Sequence, residues 1–280
     1  MSNDEFLMEV INSYKQSVLF SGDEDRAFDE LKYVVNSWYN ELRKKNSKAY
    51  FITMEIKRSG SREKGTAIKG KSDMDMFVSI SDTNGYFMLR ELYDDLYDYL
   101  QKDGLKVRKQ NVSIGVVFKG YDIDVVPARK VNSSSYVKQA IRYNDHYLWS
   151  NKKDNRMLTN IQKHIDLVRE SGIQNIIILL KIWKYQKQID FPSIYLEIIL
   201  IDAFEKYNDF GKTFENKVLY AFDYIYKNIG LFTWQACTKK IFLLIFLYRL
   251  ELFTAAPNRA CGCAAKLFER ELTCLCSGSL

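Results

Sequence analysis

Two short stretches constrain this chain more than any others: Ser59-Gly60-Ser61 and Ser72-Asp73-Met74-Asp75-Met76-Phe77-Val78. The first closes an apolar-alternating run, Tyr50 to Ile56, with a Gly-Ser turn. Residues 62 to 72 then lead to an Asp-x-Asp inside a second apolar-alternating run. Side chains alternate between the faces of a strand. Asp73 and Asp75 are therefore expected on one face, with Met74 and Met76 on the other. Two neighbouring carboxylates repel unless a cation lies between them, and Mg²⁺ takes a few carboxylates together with substrate phosphates. A Gly-Ser turn offers backbone N–H groups and a hydroxyl to a phosphate. Alone, an Asp-x-Asp is usually a solvated strand face and a Gly-Ser an ordinary turn. Together, at this spacing, they point to a metal-dependent nucleotidyl-transfer centre.

A third carboxylate lies in Tyr121-Asp122-Ile123-Asp124-Val125-Val126-Pro127-Ala128-Arg129. Alternation puts Asp122 and Asp124 on one face. Asp124, flanked by Ile123 and Val125, is chosen over Asp122, which sits nearer the Lys119-Gly120 turn. Three carboxylates suit two metal ions about 3.5–4 Å apart, which activate an attacking hydroxyl and stabilise leaving pyrophosphate. Pro127 is expected to end the ladder.

Around these segments the pattern alternates between helix and strand. Helices are expected over 4–20 and up to Lys45, the second capped by Asp23 or Asp25 with Phe28, Leu31, Val34, Val35, Trp38, Tyr39 and Leu42 on its core face. The connector Arg62–Ser72, with Lys64, Lys69 and Lys71, is either a basic loop that helps hold a triphosphate or a solvated turn. Asn84-Gly85 opens a helix to Lys102, followed by strands at Leu105–Arg108 and Val112–Phe118. Helices over 158–171, 173–188, 193–208 and 212–229 complete the pattern. Strand-rich then all-helical order predicts an α+β protein. Residues 1–150 would form a mixed-sheet catalytic core with N-terminal helices and residues 151–254 a helical lobe. The active site would lie in the cleft between them. In the lobe, Lys181 and Lys184 fall on one helix face at i, i+3. Phe191-Pro192-Ser193 starts a helix whose N-terminus either takes an anion or is simply capped.

Composition narrows the function classes. A formal charge of +6 over 280 residues fits binding of a polyanion such as a nucleoside triphosphate and falls short of a duplex-binding protein. Met1-Ser2-Asn3-Asp4-Glu5 lacks the basic start of a signal peptide, and the apolar run Ile241–Tyr248 is too short to span a bilayer. No membrane association is expected, and a cytoplasmic location is. The five cysteines, Cys237, Cys261, Cys263, Cys274 and Cys276, exclude a disulfide scaffold for the body, and their pairs are spaced too closely for a zinc knuckle. From about Ala255 the composition turns to Ala, Cys and Leu, which predicts a non-native, vector-derived or frame-shifted tail over 255–280.

Taken as a set, Ser59-Gly60-Ser61…Gly65-Thr66…Ser72-Asp73-Met74-Asp75, Ile123-Asp124-Val125-Val126-Pro127-Ala128, Leu180-Lys181-Ile182-Trp183 and Pro192-Ser193-Ile194-Tyr195-Leu196-Glu197 resemble the DNA polymerase β-like nucleotidyltransferases. Within them the chain looks most like the CD-NTases (cGAS/DncV-like nucleotidyltransferases), over roughly residues 5 to 230. The resemblance implies two Mg²⁺ ions, with Mn²⁺ as a substitute, held by Asp73, Asp75 and Asp124. It implies a donor-phosphate cradle at Gly60 and Ser61, and triphosphate contacts from Lys181, Lys184 and Ser193. It implies synthesis of a cyclic di- or trinucleotide from NTPs in bacterial antiphage (CBASS) defence, with operon partners acting on the native C-terminus. Relatives carry an aromatic directly after the serine, stacked on the donor base. Here that position is Ile194, and Tyr195 is expected to face the core. The runner-up is a template-independent RNA-tailing enzyme of the CCA-adding or poly(A) polymerase kind, which shares the Gly-Ser…Asp-x-Asp core and a Val-Val-Pro. A non-catalytic nucleotide-binding module is the third reading.

Overall fold

The computed structural model of the chain describes residues 1–17, 19, 21–45, 52–82, 86–131, 145–152, 155–205, 207 and 212–228. Asn84-Gly85, the five cysteines, the run Ile241–Tyr248 and the tail 255–280 lie outside the described residues. The chain divides into two units, Met1–Ile182 and Trp183–Leu280.

The first unit is built on one mixed sheet. Its strands are β1 (Thr53–Ser59), β2 (Met74–Ser81), β3 (Lys106–Lys109), β4 (Ile114–Phe118), β5 (Tyr121–Lys130), β6 (His146–Ser150) and β7 (Asn155–Thr159). They run in the order β1-β2-β5-β4-β3, with β6 on the C-terminal part of β5 and β7 beyond it. Among the described strands, only β2 and β5 pair in parallel. The helices are α1 (Asn3–Tyr14), α2 (Gly22–Lys45), α3 (Gly60–Glu63), α4 (Leu89–Lys102), α5 (Ile161–Glu170) and α6 (Gln174–Gln186), which continues into the second unit.

Alternation along β2 and β5 sorts the faces. Met74, Met76, Val78, Ile80, Ile123 and Val125 join Phe28, Leu31, Val35 and Trp38 of α2 and Leu92, Tyr93, Leu96 and Leu100 of α4 in one core. Burial of this layer stabilises the unit at about 25 cal/mol per Å² of apolar surface removed from water. The other face carries the aspartates and, further along, a small cluster of Phe77, Ala128 and Leu148.

Several boundaries differ from expectation, each for a local reason. α1 stops at Tyr14 because the following backbone is drawn to residues 67–69: Gln16 N donates to Ala67 O and Lys69 N to Tyr14 O. α2 is capped by Ser21 rather than Asp23 or Asp25. The Ser21 hydroxyl accepts from Glu24 N and the Glu24 carboxylate accepts from Ser21 N. Asp25 instead binds Arg58 at 2.7 Å. β1 runs on to Ser59, past Ile56. The connector 62–72 is no solvated loop at its centre, since Thr66, Ala67 and Ile68 are buried.

Pro127 does not end the ladder. It lies inside β5, opposite Val78. On the other side of β5 the pairing with β4 stops at Val125 and that with β6 starts at Ala128. A missing N–H facing that gap breaks no ladder bond. Strands β6 and β7 were not expected, and the sheet reaches Thr159, beyond residue 150.

In the second unit, α7 (Ser193–Glu205) is apolar on all sides and α8 (Phe214–Asn228) packs along it. Trp183 meets Phe222 edge to face at 5.0 Å. Among the described residues no helix is long and apolar enough to cross a membrane.

Candidate active site

The parallel pairing of β2 with β5 sets Asp75 directly opposite Asp124, so the two carboxylates share a face. Asp73 immediately precedes β2, and its charge is felt by both carboxyls. Asp75 is half-buried by accessible surface yet lies deep among neighbouring atoms. Its carboxyl is pushed up to about 7, first by burial, then by the charges of Asp124 and Asp73; Lys64 and Lys181 pull the other way. Asp124 is raised by burial and by Asp73, against a hydrogen bond from Gln110, the charge of Arg108 and a hydrogen bond from Ser113. Asp73 is raised by burial and by Asp122, against Arg108. Asp122, set aside in favour of Asp124, thus adds its charge at the rim.

Carboxylates among which Asp75 is opposed by both Asp124 and Asp73, and Asp124 by Asp73, are oxygen donors short of positive charge, which is what a hard divalent cation supplies. Among the described residues no group of three or more His, Cys, Asp or Glu side chains is drawn together closely enough to hold a metal ion, Asp73, Asp75 and Asp124 included. The fit to Mg²⁺ therefore rests on donor chemistry and charge.

Gly60 lies against this set. Its φ is +75°, and a Cβ there would fall 1.7 Å from Asp75 Oδ2. Both facts demand glycine. Ser59 pairs with Asp75 across β1 and β2, which brings the Gly-Ser turn to the carboxylate. The turn then winds into α3, whose buried Arg62 makes a two-pronged ion pair with Glu24 at 3.1 and 2.7 Å. Burial would raise the Glu24 carboxyl, but Ser21 and Arg62 outweigh it and hold the group low. Removing one partner of a buried pair strands the other. Glu24→Ala is expected to destabilise the protein by about 3 kcal/mol. Urea unfolding checks this, and an unchanged midpoint would contradict it.

Lys181 is buried on α6, with Nζ bonded to Thr66 Oγ1 at 2.9 Å and Thr66 O at 3.3 Å. Its charge reaches Asp75. Gly60, Ser61, Asp73, Asp75, Asp124 and Lys181 thus belong to the first unit. Lys184 and Ser193 belong to the second, joined there by a 3.0 Å bond from Lys184 Nζ to Ser193 Oγ, with a further bond to Phe191 O. Both lysines are buried, so their face of α6 is not a solvated one. Tyr195 does not face the core; it is 50% exposed on the first turn of α7.

Residues 108 to 115 contribute contacts that went unread in the sequence. Gln110 Nε2 donates to Asp124 Oδ1 at 3.1 Å, and the Ser113 hydroxyl lies 3.4 Å from Asp124 Oδ2. Arg108 is exposed and crosses Gly115, where a Cβ would meet its Nε at 2.6 Å. The available signal was Gly115 itself, a glycine within a β-branched run, which marks close approach by another group.

No family model matches the chain. Among curated proteins it is 27% identical over 171 residues to a cyclic AMP-AMP-AMP synthase of Escherichia coli strain MS 115-1, covering 55% of this chain and 51% of that protein. It is also 27% identical over 89 residues to a CCA-adding enzyme of Methanosarcina acetivorans, covering 31% of this chain and 20% of that protein. The matches thus span about half of the first relative's length and a fifth of the second's. Among solved structures, E. coli MS115-1 CdnC with ATP gives a TM-score of 0.59 at 22% identity, covering 81% of this chain and 73% of that one. Elizabethkingia meningoseptica CdnE cyclic dinucleotide synthase with GTP and Apcpp gives 0.60 at 14%, covering 86% and 90%. The chain shares its α+β fold with these solved cyclic-nucleotide synthases, and it is similar to the CD-NTases in sequence over about half of the first relative's length.

Proposed function

We propose that the chain is a nucleotidyltransferase that makes a cyclic di- or trinucleotide second messenger from NTPs, releasing pyrophosphate, in CBASS antiphage signalling in the cytoplasm. The observation that carries this reading is the pair Asp75 and Asp124 set opposite each other on one sheet face, with Asp73 near enough to add its charge, Gly60 pressed against Asp75, and positive charge in short supply. The names of the cyclic-oligonucleotide synthases among its relatives support it.

Two Mg²⁺ ions, or Mn²⁺ in their place, held by Asp73, Asp75 and Asp124, would supply a more acidic acceptor hydroxyl and neutralise the triphosphate. Gly60 keeps side chains away from the Asp75 carboxylate, and the Ser61 hydroxyl and backbone N–H groups of the turn meet the donor phosphates. Lys181 adds positive charge beside Asp75. In the second unit Lys184 and Ser193 bind triphosphate oxygens, and the exposed Tyr195 ring offers a base a stacking surface that Ile194 does not. The acceptor ribose hydroxyl gives up its proton to water, its oxygen bonds to the α-phosphorus, the bond to the bridging oxygen breaks, and pyrophosphate departs. Catalysis is mostly positioning and charge neutralisation. A second transfer closes the ring of a dinucleotide, and a third that of a trinucleotide. The native C-terminus is the proposed point of action for CBASS partners, and strong duplex binding is not part of the function.

The match to a CCA-adding enzyme favours RNA tailing as the second reading. Pyrophosphate release from each NTP, with and without added RNA, separates the two. The proposal expects Mg²⁺-dependent release that needs no RNA. Release only when RNA is present would transfer the assignment to tailing.

A further inference from the structure

We infer that the turn between β3 and β4 is a positioning device for Asp124, in which Gln110 fixes the carboxylate's orientation. The inference rests on the proposed metal-dependent transfer. Gln110 Nε2 donates to Asp124 Oδ1 at 3.1 Å. The Ser113 hydroxyl lies 3.4 Å from Asp124 Oδ2 but closer to Gln110 Oε1. A serine hydroxyl has one hydrogen to give. It goes to the nearer acceptor, Gln110 Oε1. With its oxygen so engaged, the Gln110 amide presents its NH₂ to Asp124. The amide is therefore oriented from behind, by Ser113, and the carboxylate in turn by the amide. A carboxylate has about four lone-pair sites. One donor on Oδ1 sets its rotamer and leaves the remaining sites for a cation.

The turn that carries Gln110 is clamped from two sides. Tyr93 of α4, with no exposed surface, has its hydroxyl 2.8 Å from Ser113 O and 3.2 Å from Gln110 O. From the end of β6 and the residue after it, Asn151 Nδ2 donates to Gln110 O at 2.6 Å, Asn151 N to Asn111 O at 2.8 Å, and Ser150 Oγ to Asn111 Oδ1 at 2.9 Å. Residues 110 to 113 are thus tied to the helix layer and to the far end of the sheet. A plain hairpin turn needs neither tie.

Gly115 is the third part. It stands opposite Asp124 on β4. A Cβ on Gly115 would lie 2.8 Å from Gln110 Nε2. The glycine is the opening through which Gln110 reaches Asp124. Partners that orient metal ligands from outside are typically worth about 10–100-fold in metal affinity or activity. Gln110 touches no reacting atom, so its role is positioning rather than catalytic.

The test compares the full chain with Gln110→Ala, Gly115→Ala, Ser113→Thr and Asp124→Asn. Mn²⁺ binding is followed by electron paramagnetic resonance in the presence of a non-hydrolysable NTP, and kcat and KM are measured in parallel. Gln110→Ala and Gly115→Ala are expected to weaken Mn²⁺ binding about tenfold and lower kcat about 10–100-fold. KM for the nucleotide should stay within about twofold, because the phosphate contacts are untouched. Ser113→Thr keeps the hydroxyl and should stay near wild type in both. Mn²⁺ affinity and kcat at wild-type level in Gln110→Ala would overturn the inference, whatever Gly115→Ala does. Mn²⁺ affinity also decides the matter without turnover. A wild-type chain whose Mn²⁺ site is lost in Asp124→Asn, but which transfers no nucleotide, would count against the proposed activity and not against the positioning role.

Discussion

Asp75→Asn is expected to lower nucleotide transfer by at least about 10³-fold while raising the melting temperature of the metal-free protein at pH 8. The two effects share a cause. In the folded chain the Asp75 carboxyl sits at about 7, raised by burial and by Asp124 and Asp73. In the unfolded chain a carboxyl titrates near 4. The native state therefore disfavours the charged form. The resulting penalty is absent below the unfolded value, grows between the two, and is complete above about pH 7. At roughly 1.4 kcal/mol per unit the ceiling is about 4 kcal/mol. Asparagine keeps the shape and removes the charge, so the gain should be large at pH 8, on the order of 5 °C, and small near pH 5. Thermal melts in chelator across this pH range check it. Saturating Mg²⁺ should reverse the order, because only the wild type retains the full donor set. Equal melting temperatures at both pH values would show that the carboxylates do not strain the empty site.

Gly60→Ala is the second large effect. The left-handed backbone alone costs a residue with a Cβ about 1–2 kcal/mol. The contact with Asp75 Oδ2, 1.7 Å from the ideal Cβ position, is far inside van der Waals distance, so the carboxylate must move. A displacement of about 1 Å at a reacting centre costs on the order of 10²-fold in rate. Gly60→Ala should therefore fold, melt a few degrees lower and lose about 10²-fold or more in kcat. Gly22→Ala is the control: a Cβ there meets nothing within 4 Å, and both stability and turnover should hold. Near-normal turnover in Gly60→Ala would separate the Gly-Ser turn from the chemistry.

How much of this was legible in the sequence depended on which residues face inward. Where the inward positions are apolar, alternation announced the strands, as in Met74, Met76, Val78 and Ile80 of β2 or Ile123 and Val125 of β5. Strand β6 was hidden because two of its three inward positions are polar. His146 and Ser150 are buried and satisfied, His146 Nε2 by Ser79 Oγ at 2.7 Å and Ser150 Oγ by Asn111 Oδ1 at 2.9 Å. A period-two pattern of burial does not show as a period-two pattern of hydropathy when hydrogen bonds replace apolar contacts. The same applies to Lys181 and Lys184. Their spacing marked a charged helix face, yet Thr66, Phe191 and Ser193 supply acceptors that let that face be buried. Pro127 misled for another reason. Its strand changes neighbours at that position, which only the pairing of β4 and β6 reveals.

Part of the candidate site's placement was legible. Strand alternation pointed to Asp75 and Asp124, which β2 and β5 set opposite each other, and turn chemistry to Gly60, which lies against Asp75. The supporting residues were not legible, because Gln110 and Ser113 acquire meaning only once β4 is laid against β5 with Gly115 opposite Asp124. The Arg62–Glu24 pair, which ties the Gly-Ser turn to the start of α2, spans 38 residues of sequence and left no local signature.

The most direct measurement is incubation with Mg²⁺ and the four NTPs, each labelled in turn at the α-phosphate, followed by phosphatase treatment and separation of the products. The account predicts a small phosphatase-resistant product from the wild type and none from Asp73→Asn, Asp75→Asn or Asp124→Asn. Label that appears only in added RNA, or a product that survives in the aspartate variants, would contradict it.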